Sequence, residues 1–433
     1  MRRTALRPPP SAPRTEAARR VVRGHRLLAP PAGGVAGEVP GARHGDPGRA
    51  QRHLGPHRGR GAPPRPVRSR SGAARAMTTT AAAPVAVRAG AAGREARPGL
   101  VRTNAGRSLG LLVACAVLAL ALAASLAIGA RPVPLPDVWH ALTAPDGSEH
   151  TFIVRELRVP RALLALTAGA ALGVSGALIQ ALTRNPLADP GILGVNAGAG
   201  FAVTIGVGFL GLSSITAYLW LSFAGAILVT ALVYVIGSAG RGGGTPIRLT
   251  LVGVAIGAVL AGISSAITLL KPDAFVKLAG WSAGSLAGRD WHILLTVLPF
   301  VGAGLLLALL TARPLNAVAL GDDLARSLGA HIARTRLLVI VAVTLLAGAA
   351  TAAAGPIGFV GLMVPHVARW FIGPDQRWII PYTALCSPLL LIAADVIGRV
   401  VLSPQELQAG IVTAFIGAPV LILLVRRKKV SGL

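Results

Sequence analysis

Acidic residues are scarce in this chain, 16 against 43 Lys and Arg in 433 residues, and lysine, cysteine and aromatic side chains are scarce as well. Each shortage excludes a class of function. The lysines are Lys271, Lys277, Lys428 and Lys429, and none precedes Ser or Thr, so the phosphate-cradling loop G-x-x-x-x-G-K-[ST] is absent and the chain cannot hydrolyse ATP by that route. The cysteines, Cys115 and Cys386, fall in apolar runs with no C-x-x-C spacing and no His beside them, which makes them packing residues rather than a disulfide framework or a zinc site. Ion-coupled carriers place carboxylates inside their spans. Here only Asp395 lies well inside one, and Arg399 follows four residues later on the same helical face, so a neutralising intrahelical pair is favoured over a proton relay.

What the chain has in abundance is apolar surface. It is 53% hydrophobic and 14% charged, against about 25% charged for a soluble domain, which marks a polytopic membrane protein. The net charge of +27 is not a nucleic-acid signature, because it is split between two unlike regions. Residues 1–76 hold 17 Arg, no Lys and 3 acidic residues, a balance of +14, and the rest holds 26 basic and 13 acidic residues, a balance of +13. Residues 1–106 are rich in Arg, Pro, Gly and Ala without apolar periodicity, so they are expected to be a disordered basic leader ahead of a transmembrane domain at 107–433. Met77, followed by Thr78-Thr79-Thr80, reads as the native start. A basic arm on acidic lipid is the alternative use of the leader.

Apolar runs long enough to cross a bilayer number about ten, near 109–129, 161–182, 191–212, 216–238, 249–270, 291–312, 336–355, 357–371, 380–401 and 410–425. The eighth is short and begins at Gly355-Pro356, which suggests a helix packed inside protein. With both termini inside, the inner segments from Met77 onward collect 18 Lys and Arg, including Arg426-Arg427-Lys428-Lys429, and the outer ones 8, so the cytoplasmic side holds both ends. Four outer cations, Arg131, Arg155, Arg158 and Arg161, gather before the second span against that bias. A docking surface for an acidic partner and contact with lipid headgroups would each use them. Trp281 and Trp291 are expected to anchor at the interface, and His366 to pack, since no second ligand stands at metal spacing.

Two stretches carry more specific information. Pro160 to Gly200 holds two glycine-rich helices, with Gly169/Gly173 and Gly194/Gly198 at the spacing that lets helices approach closely, joined by the turn Arg184-Asn185-Pro186-Leu187-Ala188-Asp189-Pro190. Between the sixth and seventh spans, Leu320, Leu324 and Leu328 recur every four residues around Asp322-Asp323, and Gly329 can end the turn, predicting a short amphipathic cytoplasmic helix. A motor subunit could grip it, or it could rest on lipid.

Together with Trp281-Ser282-Ala283-Gly284-Ser285-Leu286, Gly355 to Arg369 and Glu406 to Pro419, these segments resemble the FecCD family of ABC-importer permeases, over roughly Leu109 to Arg427. The resemblance implies an all-α ten-helix bundle of the cobalamin-permease type that dimerises with an identical or paralogous permease, binds a pair of cytoplasmic ATP-binding subunits, and receives cargo from an extracytoplasmic binding protein. It implies a cytoplasmic gate at Asn185 and Leu187 with a contribution from Thr245 and Pro246. It also implies an ATPase coupling helix over Leu320, Gly321, Leu324, Ala325, Leu328 and Gly329, and docking arginines at Arg158, Arg161 and Arg399. No catalytic residue, metal site, cofactor or nucleic acid is implied. The expected cargo is an iron–siderophore complex, with cobalamin or haem as alternatives, and an ion-coupled carrier using Asp395 is the rival from another class. The sequence departs from the family at Gln408, where proline is usual in Glu-x-Pro-x-Gly, and at Ser387-Pro388.

Overall fold

The structure is a computed structural model and describes residues 99–101, 103–239 and 245–426. The expectations for residues 1–98, the start at Met77 among them, and for the basic tail beyond Arg426 lie outside that set. The described residues form helices and connecting turns. They are α1 (Asn104–Ala127), α2 (Leu135–Thr143), α3 (Glu149–Phe152), α4 (Val159–Thr183), α5 (Val195–Gly208), α6 (Ile215–Ser238), α7 (Pro246–Leu270), α8 (Pro272–Ser282), α9 (Trp291–Ala319), α10 (Asp322–Ser327), α11 (Ile332–Ala354), α12 (Val360–Ile372), α13 (Gln376–Val401) and α14 (Ala409–Arg426). Seven of these segments are long and apolar enough to cross a membrane, and three shorter apolar helices, α5, α12 and α14, make up the ten expected spans in the expected order.

The first helix begins before the predicted boundary at 107. Thr103 caps it by accepting from the Gly106 N–H, and just ahead of it Leu100 and Val101 donate to the carbonyls of Trp370 and Phe371 at the end of α12. Those backbone bonds draw into the fold a stretch whose composition alone reads as leader.

Helix α4 is the axis of the bundle. It packs on α13, α11, α12 and α9, and from Ala168 to Leu182 every one of its side chains is buried. Such a helix needs small residues where neighbours cross it. Gly169 meets the backbone of Pro388 on α13, where a Cβ would come within 2.6 Å, and Gly176 meets the Gly361 carbonyl on α12, where a Cβ would lie at 1.9 Å. The Ser387-Pro388 departure thus sits where α4 offers glycine. Of the second predicted glycine pair, Gly198 does face a neighbour, the Gly225 carbonyl on α6, but Gly194 is the left-handed residue (φ 79°) that separates a 3₁₀ turn, Pro190–Leu193, from α5. Gly176→Ala is expected to lower membrane abundance and thermal stability sharply, because backbone is what must yield, whereas Gly302→Ala on α9, with no atom near its Cβ, should match the parent in the same detergent melt.

Helix α4 also extends outward past Pro160. Proline lacks an N–H and its ring crowds the preceding turn. The chain answers by winding Ile153–Arg158 as a π turn, with Val159 N–H bonded to Val154 O, so that α3, this turn and α4 run on as one element. Burial separates the helices further: α4 and α11 are mostly inside the chain, while α1 and α7 present most of their apolar residues outward.

Candidate functional site

The end of the bundle at which α1 finishes is organised by arginines. Helix α1 stops at Ala127, leaving carbonyls without intrahelical donors, and two arginines from other helices supply them. Arg158 Nη1 donates to Leu126 O (2.6 Å) and Ala127 O (2.9 Å), and its Nη2 to Arg131 O. From α13, Arg399 Nη1 donates to Ser125 O (3.0 Å) and Ile128 O (3.1 Å) and Nη2 to Ser125 Oγ (2.8 Å). Arg161, one turn below Arg158, instead reaches α13, where its Nε and Nη2 grip Asp395 at 3.1 and 2.8 Å, and its Nη1 pairs with Glu406 at 2.8 Å. Asp395 pairs with Arg399 as well, at 3.1 Å.

The arginines expected to dock a partner are therefore gathered in one place, but not as a solvent-facing row. Arg158 is 7% and Arg399 3% exposed, each with its guanidinium turned into the protein. The helix runs on through Pro160, yet the π turn gives the side chains of Arg158 and Arg161 different surroundings: the end of α1 for one, α13 for the other. Above them opens a cavity of about 410 Å³, rimmed by the exposed Arg131–Glu149 pair. Trp291 donates from its half-exposed ring to Arg155 O, whereas Trp281 is buried among α5 and α8, which corrects its reading as an interfacial anchor. His366 is buried edge-on to Trp370, as packing predicts.

At the opposite end, α4 terminates on Arg184 in the left-handed region (φ 52°). Asn185 Oδ1 accepts from Leu187 N–H at 3.0 Å, and Asn185 O accepts from Ala188 N–H, a tight turn that leaves Leu187 45% exposed. Asp189 then caps the 3₁₀ turn through Gly191 N–H. That turn lies against α7 beside Gly253. Thr245 and Pro246 begin α7, Thr245 as its cap and Pro246 in its first turn, where no donor is needed. The predicted gate residues thus sit on a loop and a helix that the 3₁₀ turn joins.

Helix α10 forms where its leucine spacing put it. Gly321 precedes it at φ 117°, a conformation closed to other residues, and Gly329 follows it at φ 79° with the Ala330 N–H bonded to Ala325 O. Ala325 is buried, while Leu320, Leu324 and Leu328 are 62%, 48% and 63% exposed. Asp322 ties this helix down, accepting from Arg336 of α11 at 2.7 Å and from Arg184. Burial would push its carboxyl up, but Arg336 and Arg184 hold it below the usual carboxylate range.

Sequence reading missed the polar groups that lock these parts together. Gln180 on α4 donates to Gly361 O and Leu362 O, both at 3.1 Å, and accepts from Arg369. Asn316 at the foot of α9 bridges to Asp375, the cap of α13. A buried Gln facing an Arg far along the chain leaves no local spacing to read. No group of three or more His, Cys, Asp or Glu able to hold a metal occurs among the described residues.

Comparison with known proteins places this architecture. The FecCD transport family profile matches residues 117–427. The ferric enterobactin transport system permease protein FepD of Escherichia coli K12 is 51% identical over 317 residues, covering 73% of this chain and 94% of FepD. YfiZ of Bacillus subtilis 168, described as a siderophore transport system permease protein, is 39% identical over 72% of this chain and 93% of its own length. A solved structure described as an inward-facing metal-chelate type ABC transporter superposes with a TM-score of 0.66 at 27% identity, covering 74% of this chain and 99% of that one.

Proposed function

The chain belongs to the FecCD transport family, and from that membership we propose that it is the membrane-spanning subunit of a binding-protein-dependent ABC importer carrying an iron–siderophore complex across the cytoplasmic membrane. The observation that carries the cargo class is the 51% identity to FepD over nearly all of FepD's length. Both termini lie on the cytoplasmic side in this reading, as the excess of inner Lys and Arg indicates. The protein makes and breaks no bonds itself. A cytoplasmic ATPase pair seats on α10 and its two flanks, where Leu324, Leu320 and Leu328 face out while Ala325 is buried. A second permease covers the outward apolar faces of α7 and α14, where Leu251, Val254 and Phe415 are exposed. ATP-driven movement of α10 then opens and closes the loop at Asn185 and Leu187.

Docking of the binding protein is assigned to the outer arginine cluster, with unequal roles. Arg161 is the member left for a partner's carboxylate, because its side chain is 13% exposed, against 4% for Arg399, and its companion Glu406 is 34% exposed. Arg158 and Arg399 hold the end of α1 and so keep the shape of the site. The carrier alternative is disfavoured by Asp395, which is committed to two arginines and leaves no free carboxylate at that depth to couple an ion.

Reconstituted in vesicles with its ATPase and binding protein, the permease is expected to take up a radio-iron siderophore only while ATP is hydrolysed. Uptake that continues with hydrolysis blocked, driven by an ion gradient, would overturn the importer reading.

A further inference from the structure

The loop at Asn185 and the helix at Asp322 are joined by one side chain. Arg184, the residue between α4 and Asn185, donates from Nε to Val318 O at 2.9 Å, in the last turn of α9, and pairs through Nη2 with Asp322, the first residue of α10. The other Asp322 oxygen is held by Arg336 of α11. On the loop side, Asn185 N–H bonds to Gln180 O, and Asn185 Oδ1 builds the turn that presents Leu187. A planar guanidinium anchored at two points on consecutive elements cannot follow one of them without moving against the other. A tilt of α10 relative to α9 must therefore pull on Arg184, and Arg184 is covalently the start of the loop.

We propose that Arg184 is the joint that carries movement of α10 to the Asn185–Leu187 gate, a positioning residue that acts through Asp322. The inference rests on the assignment of α10 and of this loop as coupling helix and gate. It adds a mechanical connection that neither assignment contains. Arg184 and Asp322 are 37% and 32% exposed in their side chains, and Arg336 keeps its own hold on Asp322. Losing Arg184 should therefore leave α10 in place and the ATPase seated, and break only the transmission.

The test uses the assembled transporter in vesicles, with Cys115 and Cys386 replaced by alanine and Leu187→Cys as the only thiol of the permease. The rate of Cys modification by a soluble maleimide is measured without nucleotide and with a non-hydrolysable ATP analogue. In the parent the two rates should differ. With Arg184→Gln the difference should vanish while the ATPase still copurifies and hydrolyses ATP, so that hydrolysis and uptake uncouple. Asp322→Asn, which also weakens the hold of Arg336, should lose the response at least as fully, and adding Arg184→Gln to it should cost nothing more, as expected when Arg184 acts only through that contact. An undiminished nucleotide response in both single variants would overturn the joint and leave the gate standing. If the parent itself shows no response, the gate assignment falls and the joint with it.

Discussion

Replacing Leu324 by Asp is expected to release the ATPase and abolish uptake without harming the permease. Leu324 lies on the outward side of α10 and is 48% exposed, so in the isolated subunit a carboxylate there remains in water. Under a seated ATPase the same carboxylate would be buried in a seat that takes an apolar side chain. Leaving a charge unpaired in an interface costs roughly 2–5 kcal/mol, and about 1.4 kcal/mol is tenfold in affinity, so binding should weaken by one to several orders of magnitude. The measurement is copurification of the ATPase with Leu324→Asp at matched permease abundance, alongside uptake. Normal copurification with normal uptake would mean that the leucine stripe rests on lipid. Arg326, paired with Asp323 on the exposed side of the helix, offers a control, since Arg326→Gln breaks a surface contact worth at most about 1 kcal/mol.

The second large effect is expected at Asp395. It is 3% exposed and shared by Arg161 and Arg399, with Arg158 close by against the end of α1. Asp395→Ala leaves three arginines around the single carboxylate of Glu406. Breaking a buried ion pair by removing one partner costs about 3–5 kcal/mol, because the remaining charge keeps its desolvation penalty and loses its compensation. The variant should melt well below the parent in detergent and accumulate poorly in the membrane. Glu406→Gln touches the same arginine from its exposed side, and should leave the melt near the parent while changing how docking of the binding protein responds to salt. Equal melts for parent and Asp395→Ala would show that the cluster contributes no stability. The same geometry sets how charge reversal in this region must be read. Arg158→Glu would place a carboxylate against three carbonyl oxygens, so its effect on cargo delivery would report folding around the end of α1 rather than docking alone. Arg161, with its exposed companion, is the position where docking can be probed.

The arginine cluster also shows what local spacing can and cannot carry. Asp395 and Arg399 are one helical turn apart, so their pairing was legible from position alone. The partner that grips Asp395 from two nitrogens, Arg161, is 234 residues away, and nothing in the chain between them announces the contact. Arg158 was read as an outer cation in want of a partner. Its partners are backbone carbonyls, which exist at every position and become acceptors only where a helix happens to end. At the opposite end, the turn of Asn185 and the leucines in and beside α10 were visible because they are short-range patterns. Arg184 was visible only as one more basic residue on the cytoplasmic side.

By itself, the sequence determined that this is an all-helical membrane protein, roughly where its spans lie, which short helix is amphipathic, that it lacks an ATP-binding loop, and through its ordered motifs which family it resembles. These follow from composition and from periods of a few residues, which act along the chain. The tertiary structure alone decided that α4 is the axis, that Gly176 stands against a carbonyl, that Trp281 is buried, that the arginines face inward, and that Arg184 bridges the Asn185 loop to α10. Each of those depends on which helices become neighbours. In a bundle of similar apolar helices that choice is made by close packing of small residues and by a few buried polar bonds between distant parts of the chain, for which hydrophobic periodicity holds no record.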